Sequence, residues 1–229
     1  GMAFDASRGY PGEGPAPPHA PARSWLLASL NPTGLRNKAP SPAALLSTAS
    51  GGGHWTLMAQ EDLLLPPDRA AATREWRYEG AGLVLGACGA EDQSDRRRAT
   101  GGAAIAASPS TGFETLSPAI PHPQWRARVC FAVRRVGTPT GGPVTVASVY
   151  GEVGAGQSPA ALARTSEMVR WVLATLQARG GDLALGIDAN SDPDSLAPWV
   201  YLRDRGEACH VGALGDGATA FSYVTAGSA

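Results

Sequence analysis

Side chains far apart along this chain share one local setting, at the exits of apolar runs. Asn31 follows residues 26–30 (LLASL), and Gln60-Glu61 follow 57–59 (LMA). Tyr150 closes 144–149 (VTVASV), and Asp188 and Asn190 follow 183–187 (LALGI). A polar residue where a strand meets solvent costs little for folding, and loops held there by a rigid frame carry chemistry. Taken singly, each has a plain structural explanation: Asn31 before Pro32 is a turn residue, Glu61 or Asp188 a cap or turn carboxylate, and Tyr150 an ordinary strand residue. Taken together, carboxylates and amides without a His or Cys cluster suit a hard, oxygen-preferring cation, Mg²⁺ or Mn²⁺. Zinc would call for His and Cys. Oxygen ligands beside an Asp-x-Asn fit reaction at a phosphorus centre. The cation would neutralise a phosphate oxygen, Asp188 would orient or deprotonate water, and Asn190 and Tyr150 would hold the oxyanion.

Composition narrows the classes. The chain has 229 residues, 43% of them hydrophobic, enough for one sizeable core. Its 29 glycines and 19 prolines make it loop-rich. The formal net charge of −1 excludes a general polyanion binder, so any nucleic-acid contact must come from a local patch. Cys88, Cys130 and Cys209 form no CxxC pair, which excludes a cysteine zinc site or a disulfide framework and fits a reducing compartment. No apolar run approaches the roughly 20 residues of a membrane helix, and no signal-peptide pattern is visible. An intracellular protein, nuclear or cytoplasmic, without a membrane partner is expected.

The elements that must position these residues follow from patterning. Residues 1–22 are Pro/Gly-rich and read as a disordered leader, with one domain over 23–229. Strands are expected at 25–30, 55–61, 82–87, 101–107, 129–136, 144–150 and 183–187, with a hairpin turn at 137–143. Helices are expected at 43–47 behind Ser41-Pro42, at 67–73, at 158–179 and at 194–205. The third is the clearest, with Ser158 as cap, Pro159 at the first position and Gly180-Gly181 as stop. Arg126, Arg128 and Arg134 fall at one strand parity and would form a basic stripe, with Arg126 and Arg128 as phosphate contacts. The run Arg96, Arg97 and Arg98 reads as a solvated turn. Trp76, Trp125, Trp171 and Trp199 read as packing residues, and His19, His54, His122 and His210 as solvent or packing histidines. This order suggests a mixed sheet covered by helices.

The serial motifs LASLNPTGL (28–35), MAQE (58–61), GGAAIA (101–106), VASVYG (146–151) and LALGIDANSDPDSL (183–196) resemble the endonuclease/exonuclease/phosphatase superfamily. That family includes exonuclease III-like and pancreatic-type deoxyribonucleases and the endonucleases of non-LTR retrotransposons. The resemblance covers about residues 25–225. It implies an α/β fold, a four-layered DNase I-like sandwich of two mixed sheets flanked by helices. Asn31 and Glu61 then look like the metal-side pair, Tyr150 like the phosphate-facing tyrosine, and Asp188 and Asn190 like the Asp-x-Asn of the nucleophile and transition state. Two departures stand out. Ile187 is inserted between Gly186 and Asp188, and the family's final Asp and Ser-Asp-His are absent. The chain therefore resembles a member lacking its last strands. Three functions stay open: Mg²⁺-dependent cleavage of DNA, of retroelement type and impaired here; hydrolysis of a small phosphoester; or a scaffold without chemistry.

Overall fold

The computed structural model describes residues 25–31, 40–51, 53–64, 66–78, 80–86, 101–108, 111, 113–134, 143–207, 209–211 and 221–224. The expected leader, the run Arg96, Arg97 and Arg98, and most of the expected turn at 137–143 lie outside these residues.

The apolar runs, several of them buried at every position, form ten strands among the described residues: β1 (Trp25–Leu30), β2 (His54–Gln60), β3 (Gly82–Leu85), β4 (Ala103–Ala107), β5 (Phe113–Leu116), β6 (Val129–Arg134), β7 (Val144–Tyr150), β8 (Asp182–Asp188), β9 (Cys209–Val211) and β10 (Phe221–Val224). Four α-helices among the described residues accompany them: α1 (Pro40–Ala49), α2 (Pro66–Tyr78), α3 (Pro159–Gln177) and α4 (Ala197–Asp204). The strands form a four-stranded sheet ordered β1-β2-β4-β3 and a six-stranded sheet ordered β5-β6-β7-β8-β10-β9. Only β1 with β2 and β7 with β8 pair in parallel among the described strands.

The period of two along each strand divides the core into three layers. In the first sheet, Trp55, Leu57, Ala59, Ala104 and Ala106 face outward onto Ala43 of α1 and Ala72 and Trp76 of α2. In the second, Phe131, Ala147, Val149, Leu183 and Leu185 face outward onto Met168, Val169, Val172 and Leu176 of α3 and Trp199 and Leu202 of α4. Between the sheets lie Met58, Ala103, Ile105, Cys130, Ala132, Val146 and Ala184, mostly small side chains. The architecture is thus helix, sheet, sheet, helix, the four-layered α/β sandwich that the motif order implies. No helix among the described residues is long and apolar enough to cross a membrane.

Local expectations hold where capping chemistry was explicit. Ser158 Oγ accepts the Ala161 N–H at 3.4 Å, and Pro159 opens α3. Trp76 is buried in the outer core of the first sheet, Trp125 and Trp199 in that of the second, and Trp171 packs against the latter. Three expectations are corrected. The helix begun at Pro66 runs to Tyr78 rather than to 73, because Ala72 and Trp76, one turn apart, both bury against the sheet while the intervening polar residues face outward. The helix expected at 194–205 divides into a 3₁₀ turn, Pro193–Ser195, and α4. The basic stripe does not exist: Arg126 belongs to a 3₁₀ turn, Pro123–Ala127, and Arg128 follows it, so strand parity begins only at Val129. Arg134 is buried, its guanidinium 5.0 Å from the Trp25 ring centroid.

Candidate active site

Strand parity explains how the chain delivers three of the five side chains to one place. Ser29, Ser148, Ala184 and Gly186 point between the sheets, so Asn31, Tyr150 and Asp188 continue the same inward rows at the carboxyl ends of β1, β7 and β8. The parallel register sets Tyr150 directly beside Asp188. Across the gap, Asn31 Nδ2 donates to Asp188 Oδ2 at 2.6 Å, a bond between residues of opposite sheets.

Asp188 and Asn190 form a local turn. The Asn190 backbone N–H donates to Asp188 Oδ1 at 3.1 Å, and Asn190 adopts a left-handed φ of 51°, a conformation that asparagine tolerates better than most residues. Asn190 Nδ2 donates to the Gly151 carbonyl at 3.3 Å, and its side chain also bonds the Tyr150 hydroxyl. Gly151 N donates to the Asp188 carbonyl at 2.7 Å, and a Cβ at Gly151 would lie 2.7 Å from the Ala189 carbonyl oxygen. Only glycine permits this approach.

Glu61 comes from the other sheet through a strained turn. Glu61 and Leu63 have φ of 57° and 52°, and their N–H groups donate to the carbonyls of Gly102 (2.8 Å) and Gly101 (3.2 Å). Gly102 in turn donates to Ala127 O at 2.7 Å. Gly102 has φ of 107°, and a Cβ there would fall 2.1 Å from Asp62 Oδ1. The double glycine that opens β4 is therefore a backbone clamp on the Glu61 turn. Asp62 is buried with Oδ1 accepting the Leu64 N–H at 3.0 Å, and burial raises its pKa against the opposing pull of Arg69.

The site is acidic. Burial holds the Tyr150 hydroxyl above its ordinary pKa, and the Glu61 and Asp188 carboxylates add to that, opposed by Arg128 and the Asn190 bond. Both carboxylates thus bear on one phenol. Arg128 stands with its guanidinium 5.3 Å from the Tyr150 ring centroid. It is engaged already: Nη1 donates to Gly151 O at 2.7 Å and Nε lies 3.5 Å from Glu152 Oε1. Arg126 lines a different cleft of about 340 Å³ with Val84, Ile120 and Phe131, which none of the five site residues lines.

Asn31, Glu61, Tyr150, Asp188 and Asn190 thus gather at one end of the gap between the sheets. The residues between them that sequence reasoning passed over are Ser29, Ser148, Gly102 and Arg128's partner Glu152, and Gln60 was read only as the neighbour of Glu61. For Ser29, Gln60 and Ser148 the sequence shows only a polar residue in an otherwise apolar strand; the partner across the gap is not visible in it. Among the described residues no group of three or more His, Cys, Asp or Glu forms a metal cluster. The donor set is two carboxylates on opposite sheets plus amide oxygens. That fits Mg²⁺, which takes one or two carboxylates and completes its shell with water and substrate oxygens. Of the histidines whose side chains are described, His122 faces Glu167 at 3.7 Å and packs edge-on against Trp125, and His54 opens β2 at the strand end opposite Glu61.

No family model matches the chain, and no curated protein matches its sequence. Solved structures do match its fold. The endonuclease domain of TRAS1, a telomere-specific non-LTR retrotransposon, overlays with a TM-score of 0.51 at 14% identity, covering 88% of this chain and 83% of that one. The AP endonuclease LMAP of Leishmania major overlays with a TM-score of 0.52 at 15% identity, covering 82% and 68%. An endonuclease/exonuclease/phosphatase of Beutenbergia cavernae gives 0.49 at 14% identity over 88% of this chain, which spans only 63% of that protein's length. The class is therefore the two-sheet, DNase I-like α/β sandwich, the fold of these endonucleases.

Proposed function

We propose that this chain is a divalent-metal-dependent phosphodiester hydrolase of the endonuclease type, with DNA as substrate. The observation that carries the reading is the convergence of Asn31 and Glu61 from one sheet with Tyr150, Asp188 and Asn190 from the other, joined by the Asn31–Asp188 hydrogen bond. The two structures that overlay with TM-scores above 0.5 are both endonucleases, which supports the direction. Glu61 and the amide oxygen of Asn31 would hold Mg²⁺ or Mn²⁺. Bound there, the cation would supply charge neutralisation at a phosphate oxygen.

The protein's own residues then have distinct tasks. Asp188 accepts a hydrogen bond from water and orients it or takes its proton. Asn31 fixes the Asp188 carboxylate from the facing sheet. The Tyr150 hydroxyl stays protonated, since burial and two carboxylates raise its pKa, and so remains a donor to a phosphoryl oxygen. Asn190, held by Gly151, donates beside it. Arg128 backs the Tyr150 ring and is shared with Glu152.

Plasmid nicking in Mg²⁺, abolished by EDTA, tests the reading. Glu61→Ala and Asp188→Ala should each reduce the rate by about 10²–10⁴, the usual contribution of one such group. Equal rates in wild type and both variants would overturn it. A second reading rests on Arg128: the arginine at the site is compensated by Glu152, which suits a small phosphoester better than a long polyanion. Faster turnover of bis(p-nitrophenyl) phosphate than of plasmid would favour it.

A further inference from the structure

One layer below the site, the sheets are joined by polar groups. Gln60 is buried, and its Nε2 lies within hydrogen-bond distance of Ser29 Oγ (3.1 Å), Ser148 Oγ (3.2 Å) and the Met58 carbonyl (3.1 Å). Its two N–H groups can serve two of these at once. Ser29 Oγ also lies 3.2 Å from Gln60 Oε1, and Ser148 Oγ donates to the Ala59 carbonyl at 2.7 Å. Ser29 and Gln60 belong to the first sheet and Ser148 to the second, so the Ser148 bonds cross the sandwich.

The position of this cluster is specific. Ser29 precedes Asn31 by two residues, Ser148 precedes Tyr150 by two, and Gly186 precedes Asp188 by two; Gln60 adjoins Glu61. Gly186 has no side chain where the cluster needs room. A Cβ there would lie 2.7 Å from Met58 Cβ, 2.8 Å from Ser29 Oγ and 3.1 Å from Gln60 Nε2. The neighbouring part of the same interface, Met58, Ala103, Ile105, Ala132, Val146 and Ala184, is apolar, and such contacts resist sliding poorly because dispersion has no direction. Hydrogen bonds have direction, and a buried one left unmade is costly.

We infer that Ser29, Gln60 and Ser148, seated over Gly186, form a positioning cluster that fixes the spacing between the Asn31/Glu61 half of the site and the Tyr150/Asp188/Asn190 half. For its consequence in catalysis the inference rests on the hydrolase reading above. None of the three polar residues touches the reacting atoms; they act through the strands that carry those that do. The cluster also explains Ile187. A glycine two residues before the aspartate, rather than one, points into the gap on the same row as Asp188, while Ile187 turns outward against the α3 core.

The test compares Gln60→Met, Ser148→Ala and Gly186→Ala with Ser148→Thr, which keeps the hydroxyl, and with Val172→Ala, which loosens the outer core of α3 instead. Mn²⁺ titration calorimetry, the Asn31 side-chain amide resonances and steady-state kinetics are read together with thermal unfolding. The first three variants should weaken Mn²⁺ binding at least about 10-fold. They should shift or broaden the Asn31 amide signals and lower kcat about 100-fold with KM little changed, the scale of loss when reacting groups are displaced by about 1 Å. Ser148→Thr should recover most of the effect. Val172→Ala should lower the unfolding temperature alone. Variants that behave like Val172→Ala in every readout would overturn the inference. A wild-type chain that binds no Mn²⁺ would overturn the hydrolase reading, and the Asn31 amide signals would still decide whether the cluster sets the spacing.

Discussion

Single residues in this molecule are constrained mainly by what lies opposite them across the sandwich gap. Cys130 is an example. Its side chain is buried between the sheets, with Sγ 3.6 Å from the Val84 carbonyl. Burial pushes its thiol up to about 12, with the Asp62 charge adding to the effect. A raised folded pKa favours the thiol, so the contribution of Cys130 to stability is intact below the ordinary value of 9.0 and fades only as pH climbs toward about 12. Cys130 should therefore resist iodoacetamide in the native protein at pH 8 and react once urea unfolds it. Peptide mapping of the alkylated chain checks this, and rapid native labelling of Cys130 would contradict the packing described. The site residues were legible at this scale because each closed an apolar run. Their supports were not. Ser29, Gln60 and Ser148 acquire meaning only when two sheets face each other, and no periodicity within one strand announces that. Arg134 misled for a related reason: its parity is correct, yet the inward direction at that position leads to Trp25 and not to solvent.

Among the elements, α3 shows what local chemistry alone can specify. Ser158, Pro159 and the glycine pair mark its ends, and its apolar stripe buries Met168, Val169, Val172, Leu173 and Leu176. The cap bond is long at 3.4 Å, so its contribution sits at the low end of the usual range. Ser158→Ala should cost about 0.5–1 kcal/mol, whereas Ser158→Asp should retain the stability. Urea melts followed by far-UV circular dichroism measure both, and a loss above 2 kcal/mol would mean that Ser158 does more than cap. Other elements were less visible. Strand β5 (FETL) is an edge strand with two exposed central residues, too short and too polar to stand out from a loop. The Glu61 turn was invisible as well, since left-handed φ at Glu61 and Leu63 comes from the Gly101-Gly102 clamp some 40 residues later and not from turn residues of its own.

As a whole, the molecule has two outer cores that each hold tryptophans and a central one in which alanines alternate with a few larger side chains such as Met58 and Ile105. Small residues let the sheets approach closely, and the Asn31–Asp188, Ser148–Ala59 and Gln60–Ser148 bonds add directional links between them. The two halves should therefore unfold as one unit. Trp55 and Trp76 report on the first sheet, and Trp125, Trp171 and Trp199 on the second. Tryptophan fluorescence and far-UV circular dichroism should give a single coincident midpoint in urea. Two separated transitions would show that the sheets are independent. The order of motifs along the chain anticipated this two-sheet architecture, whereas hydrophobic patterning by itself pointed only to a mixed sheet under helices.

The direction of β8 has a practical corollary. The strand enters at Asp182, beside the bend at Gly180 and Gly181, and leaves at Asp188 in the cleft. Seven residues of extended backbone put roughly 20 Å between these poles. Space around Gly180 is open. A fluorophore or affinity handle grafted between Arg179 and Gly180 would sit at the distal pole, so the protein can be tethered to a bead or surface there with its cleft facing the bulk solution.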